Sequence, residues 1–330
     1  MTDLYNACLF RAKELLKSGE VARVIGWRKG EFSYDVSPAF FETEEQLKEF
    51  TYDYFCGANL SKYLVEISKK EGVTAVFLKP CDTYSFNELV KEHRVARDKI
   101  RVIAVECRGK VDYKKAEKAA GESVLAINET DDTKTLELVT ESGRKTVERL
   151  SVLLDKCLAC KGKQHVASDE TIILKDPIET GSDRFAGVEA LEKMSAAERY
   201  AFWRKELSRC IRCNACRNVC PACTCVKCVF DNPESGISAK ANDTSFEEQL
   251  YHVIRAFHVA GRCTDCGECS RVCPQGIPLH LLNRKFIKDI NELYGEYQAG
   301  ADFDSRPPLM NFTKDDCEPS VVYERGGANG

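Results

Sequence analysis

Cys210, Cys213, Cys216, Cys220 and Pro221 recur 53 residues later as Cys263, Cys266, Cys269, Cys273 and Pro274. Each run reads C-x2-C-x2-C-x3-C-P. In such a run three thiolates grip one face of an iron-sulfur cubane while the fourth reaches the neighbouring cubane. The repeat therefore predicts two 4Fe-4S clusters with crossed ligation, one held by Cys210, Cys213, Cys216 and Cys273, the other by Cys263, Cys266, Cys269 and Cys220. Zinc also takes C-x2-C pairs, but a zinc site joins two such pairs and has no use for a third spaced Cys and a following Pro in both runs. Paired cubanes relay single electrons and do not themselves transform an organic substrate.

Cys223, Cys225 and Cys228 follow the first run directly, in PACTCVKC. Their closeness reads as a further metal centre with a fourth ligand from elsewhere, or as an alternative ligand set for the first run. Cys8, Cys56 and Cys317 are isolated and read as buried packing thiols. His252 and His258 fall on a segment from Ser245 that reads as a helix, with Leu250, Val253, Ile254 and Phe257 on one face. Both histidines read as packing or surface residues rather than ligands.

Around these residues the composition is unusual in one respect, 18 cysteines in 330 residues. A chain without an export signal in its first residues is expected in a reducing, cytoplasmic compartment, where thiols serve metals rather than disulfides. A net charge of -4 with scattered Lys and Arg argues against a nucleic-acid surface. No apolar stretch is long enough to span a bilayer.

The first 160 residues read as α/β. Strands are predicted at Val21 to Trp27, Val73 to Leu78, Ile100 to Val105 and Thr135 to Val139, with a helix from Asn59 ended by Gly72, another near Ser85 to His93, and a third from Thr146. A βαβ crossover makes its two strands parallel, so Cys81 and Cys107, each just past a strand end, share the carboxyl edge where open sheets bind ligands. The helix from Thr146 delivers Cys157 and Cys160. Residues 163–200 read as a linker, followed by a helix capped by Ser195 and Glu198.

Lys79-Pro80-Cys81-Asp82, Glu106-Cys107-Arg108-Gly109 and Asp155-Lys156-Cys157-Leu158-Ala159-Cys160 resemble the beta subunit of coenzyme F420 (deazaflavin) hydrogenases and formate dehydrogenases, over roughly residues 20–162. The resemblance implies a third 4Fe-4S cluster on Cys81, Cys107, Cys157 and Cys160, and an FAD. No glycine-rich dinucleotide fingerprint accompanies it. The groups near that sheet edge expected to contact the flavin are Asn59, Lys79, Asp82 and Arg108. The run Ile254-Arg255-Ala256-Phe257-His258 ahead of Gly261-Arg262-Cys263 is similar to the C-terminal part of related formate-dehydrogenase beta subunits.

The expected fold is an α/β domain with a mostly parallel sheet (1–162), a linker and helix (163–206), an α+β bacterial-ferredoxin-like dicluster domain with a helical insert (207–296) and an extended tail (297–330). The expected function is electron relay between a flavin or hydride-carrier site and partner subunits. The partners implied are a formate dehydrogenase, a hydrogenase or a heterodisulfide-reductase-like flavoprotein, with ferredoxin or NAD(P)H as further carriers. The alternative is a docking wire that has lost the flavin.

Overall fold

The central strands are near-continuous apolar runs, as parallel strands covered on both faces must be. In the computed structural model, which describes residues 2–161, 164–178, 183–232 and 245–310, they form a six-stranded sheet. Its members are β1 (Arg23–Lys29), β2 (Val36–Phe41), β3 (Phe50–Thr51), β4 (Thr74–Leu78), β5 (Ile100–Val105) and, later in the chain, Glu170–Ile172. The strand order is β2, β1, β4, β5 and then Glu170–Ile172, with β3 pairing β1 off this path. β1, β4, β5 and Glu170–Ile172 run parallel; β2 and β3 pair antiparallel with β1. Every residue of β4 is buried, and Phe77, Val102 and Ile103 belong to one core with Trp27, Phe41 and Phe50.

A second sheet, antiparallel, comprises β6 (Val124–Glu129), β7 (Thr135–Thr140) and β8 (Arg144–Glu148). β7 alternates half-buried with buried residues, so Leu136 and Leu138 face a separate small core shared with Ala116 and Val152. That core is closed by the helix Tyr113–Ala120, which starts where Asp112 accepts from the Lys115 amide at 3.3 Å and stops at Gly121, held at φ +90°.

Three expectations need correction. Residues 163–200 are not all linker: Glu170–Ile172 completes the large sheet beside β5, and Ala186–Glu192 is a helix. A three-residue strand has no readable period, which hid it. The segment from Thr146 is not one helix but the end of β8 followed by two single turns, Arg149–Val152 and Asp155–Leu158. The helix expected from Asn59 is reduced to Ser61–Tyr63 and Leu64–Ile67. Cys317 and residues 311–330 of the expected tail lie outside the described residues.

The cysteine repeat is also a backbone repeat. Arg212 and Asn214 have φ of 53° and 60°; 53 residues on, Asp265 and Gly267 have 56° and 68°. Each pair precedes a single helical turn, Ala215–Asn218 and Glu268–Arg271. Left-handed backbone at non-glycine residues costs on the order of 1–3 kcal/mol each. Its recurrence at equivalent positions marks a loop shaped around something other than its own hydrogen bonds.

Candidate metal centres

Cys210, Cys213, Cys216 and Cys273 line one small cavity of about 20 Å3, together with Pro274, Tyr251 and His252. Those are the four thiols that crossed ligation assigns to one cubane. Cys220, the fourth residue of the first run, has left that group. It packs with Cys263 and Val259, and its sulfur lies within electrostatic reach of Cys263, Cys266 and Cys269. The fold thus exchanges the last cysteine of each run, because the turns Ala215–Asn218 and Glu268–Arg271 pack on each other and carry the chain across.

The N-terminal thiols also meet. Cys81, one residue into the helix Pro80–Lys91, and Cys107, two residues past β5, line a cavity of about 40 Å3 with Cys157 and Cys160. His165 fixes the edge they come from: its Nε2 lies 3.2 Å from the Leu78 carbonyl and 3.1 Å from that of Val105, the last residues of β4 and β5. Burial lowers the pKa of His165, which favours the neutral ring, with Nε2 as the N–H that donates to both carbonyls. Burial raises the Cys81 thiol well above its ordinary value and the Cys157 thiol above its own, and outweighs the opposing pull of Lys156 on both. Thiols that resist ionisation alone are the kind a cation, such as an iron centre, would convert to ligands.

Among the described residues no group of three or more His, Cys, Asp or Glu side chains could hold a single metal ion. Ligands of a cubane surround a body of four irons rather than one point. Four thiols around each cavity match such a group in ligand number and type. The polar atoms beside them fit too: Lys161 Nζ, in the wall of the N-terminal cavity, is buried without a hydrogen-bond partner, as is Arg255 Nε. Burial brings Lys161 down to about 8 against the pull of Asp265, Cys263 and Cys266.

The N-terminal cavity extends to Asp265 and Cys266, so the two parts of the chain adjoin at their thiols. Lys156, next to Cys157, ion-pairs with Glu268, next to Cys269; both side chains are closed to solvent. Glu268 also accepts two hydrogen bonds from Arg271 at 2.8 Å and one from the Asn59 amide at 3.2 Å. A Cβ on Gly267 would lie 2.4 Å from that of Lys156, so only glycine permits this approach.

Of the four groups expected at a flavin, three are occupied internally. Asn59 donates to Ser85 Oγ at 3.0 Å and accepts from the Ser61 amide at 2.9 Å. Lys79 pairs with Asp82 at 2.6 Å and lies over the Trp27 ring, and both charged groups are buried. These residues brace the strand-to-helix turn that carries Cys81, and Lys79 also lines the N-terminal thiol cavity. Arg108 is different: it lines a cavity of about 820 Å3 with Lys134, Arg149, Lys175 and Ile178, and Ile178 also lines the N-terminal thiol cavity.

Arg108 is held there by Glu129, which also accepts from Lys175 and the Tyr54 hydroxyl. Burial opposes ionisation of Glu129, but the hydrogen bonds from Lys175 and Tyr54 and the charge of Arg108 prevail and bring its pKa to about 2. Its folded value lies below the ordinary 4.5, so its contribution is present above pH 4.5 and is lost as pH falls towards 2. Glu129→Gln is expected to remove about 1 kcal/mol of that acid-side loss, a figure discounted for partial solvent screening. Parallel acid-unfolding curves of parent and variant check this.

The remaining thiols separate. Cys223 packs against Cys220 and Cys263 and hydrogen-bonds Cys220, which favours the thiolate on Cys220 and the thiol on Cys223. Cys225 is exposed, and Cys228 hydrogen-bonds Arg217. The three do not share one set of neighbours. Burial pushes Cys8 up to about 12 and raises Cys56 well above its ordinary value.

The helix expected from Ser245 is present as Ser245–His258, with Leu250 and Ile254 half-buried. Val253 and Phe257 are exposed, whereas Glu248, Tyr251, His252, Arg255 and Ala256 are buried at helical spacing. A polar stripe points inward because the thiol loops lie beneath it. His252 Nε2 lies 3.2 Å from Cys210 Sγ, and burial with Arg255 and Arg212 nearby lowers its pKa to about 3. The neutral imidazole is therefore a sulfur partner rather than a surface group. The signal that could have found it is the i, i+3, i+4 stripe of Glu248, Tyr251, His252 and Arg255.

The family model of the 4Fe-4S dicluster domain matches residues 206–277. Over 92% of its length the chain is 26% identical to the F420-dependent formate dehydrogenase subunit beta of Methanocaldococcus jannaschii, covering 93% of that protein. Over 90% of its length it is 25% identical to the F420-dependent formate dehydrogenase 1 subunit beta of Methanococcus maripaludis, covering 91% of it. A chain of the F420-reducing [NiFe] hydrogenase complex of Methanosarcina barkeri superposes with a TM-score of 0.40 at 15% identity, over 61% of this chain and 83% of that one. Among the described residues no helix is long and apolar enough to cross a membrane.

Proposed function

We propose that this chain, a homologue of F420-dependent formate dehydrogenase beta subunits with a 4Fe-4S dicluster domain in its C-terminal part, relays electrons between a hydride-carrier site and partner subunits of a redox complex. The observation that carries the reading is the meeting of thiol sites across the chain. Cys81, Cys107, Cys157 and Cys160 share a cavity with Cys266. Bound there and in the C-terminal part, 4Fe-4S clusters supply one-electron transfer.

The residues have distinct tasks. Cys81, Cys107, Cys157 and Cys160 would hold the N-terminal cluster; Cys263, Cys266, Cys269 and Cys220 the adjoining one; Cys210, Cys213, Cys216 and Cys273 the last. Lys156 and Glu268 clamp two ligand loops together, and His165 holds the strand ends level. The 820 Å3 cavity beside Cys107 is the candidate place for FAD: Arg108, Lys134, Arg149 and Lys175 line it, three of them shared with Glu129, and Glu148 and Asp176 lie in the same wall. A flavin supplies the change from paired to single electrons that a hydride carrier requires. Asn59, Lys79 and Asp82 would then act by bracing the Cys81 turn. Cys223, beside Cys220, is best read as an alternative ligand there rather than part of a separate centre.

Anaerobic mixing of the full chain with reduced F420 tests the reading. Bleaching of the visible cluster absorption, with about one flavin retained per chain, is the expected result. Clusters that dithionite reduces but reduced F420, with FAD added, does not would make the chain a wire with no hydride site.

A further inference from the structure

Arg255 lies on the inward stripe of the helix Ser245–His258, in the insert between the two cysteine runs. Only 4% of it is exposed. Its Nη2 donates to the Cys216 carbonyl at 2.9 Å, which fixes the guanidinium over the first run, while Nε is buried with no hydrogen-bond partner. The thiols in its surroundings are Cys220, Cys269, Cys216 and Cys223. Cys216 belongs to one proposed ligand set and Cys220 and Cys269 to the other. Cys216 and Cys269 also share a packed core with Cys210 and Cys273.

A guanidinium keeps its proton at any pH a protein survives, so burial cannot be relieved by neutralising it. Burying such a charge is favourable only where anions compensate it. As thiolates, the sulfurs around it, drawn from both sets, would compensate it. A cubane on four thiolates is an anion, and reduction adds one more negative charge to it. A fixed cation beside it favours the reduced form, because net charge and hydrogen bonding set the potential of such clusters.

We propose that Arg255 is a positioning residue shared by the two ferredoxin-type clusters, and that its charge raises the reduction potential of both. The step is one electron taken by each cluster from an external reductant, with no proton or bond change. Conventional packing would have used an aliphatic residue at a buried helical position between loops. The insert instead places a cation where it acts on both clusters, with its neighbour His252 against Cys210. This inference rests on the cluster assignment proposed above.

The test is a dithionite redox titration of the full chain followed by electron paramagnetic resonance, on protein whose iron and sulfide have been counted first. A parent chain without iron and sulfide would refute the cluster assignment itself, not the role of Arg255. With clusters present, Arg255→Gln should shift the oxidised-to-reduced ratio of each ferredoxin-type cluster about tenfold towards oxidised at fixed potential, which is 59 mV for a one-electron couple. Arg255→Lys, which keeps the charge, should stay within roughly fivefold of the parent. A Gln variant that moves either cluster less than roughly fivefold, or a Lys variant that moves further, overturns the proposal. Should the Gln variant fail to load clusters, the Lys variant decides: parent-like potentials support a charge role, and loss of loading or a displaced potential overturns it.

Discussion

Cys273→Ser is expected to cost the chain about four iron atoms and the paramagnetic signal of a single cluster, and the cluster lost is the one built mostly from residues some 60 positions upstream. Cys273 shares its cavity with Cys210, Cys213 and Cys216, whereas Cys263, from its own run, packs with Cys220. The paired left-handed residues, Arg212 with Asn214 and Asp265 with Gly267, recur at equivalent places in the two runs, as loops of one shape require. Cys220→Ser should do the converse. A signal lost from the Cys263 cluster in the Cys273 variant would contradict crossed ligation.

The second large effect is on stability. Lys156→Met leaves Glu268 buried without its ammonium partner, and Glu268→Gln leaves the Lys156 charge in the same position. Burial alone would lower Lys156, but Glu268 and Cys81 raise it and keep it protonated. Breaking one side of a buried pair costs about 3–5 kcal/mol. Replacing both with Met and Leu should cost less than the sum, because neither Lys156 nor Glu268 is left as an orphan, although Arg271 still loses its two bonds to Glu268. Urea unfolding midpoints of the two single variants and the double one measure this. Single variants within about 1 kcal/mol of the parent would mean that the loops are joined by packing alone.

How far the sequence led is clearest at particular residues. The C-terminal thiol groups were legible because a 53-residue repeat imposes the spacing twice, and C-x2-C-x2-C-x3-C-P serves few other ends. The parallel strands β4 and β5 were legible as apolar runs, β5 with its observed bounds, and both place a Cys just beyond the edge. β6 and β8 were not, since exposed residues on one face and a bulge between Val124 and Ala126 blur their alternation. Glu170–Ile172 was too short to read, although its position beside β5 is what returns the chain past His165 to the strand ends. The buried face of Ser245–His258 carries no apolar signal in the sequence, because Glu248, Tyr251, His252 and Arg255 form it. Beside thiol loops the buried side chains are the ones that can balance charge, so Arg255 and His252 are inside while Phe257 is out. Asn59, Lys79 and Asp82 stood out as polar residues near the ligand edge, and the structure spends them on one another and on the backbone.

The central claim is that these thiols hold cubanes in three groups. Anaerobic purification of the full chain followed by iron and acid-labile sulfide analysis tests it most directly. About twelve of each per chain is the expected result, four for each of the three thiol groups. Zinc in place of iron, with no sulfide released on acidification, would contradict it.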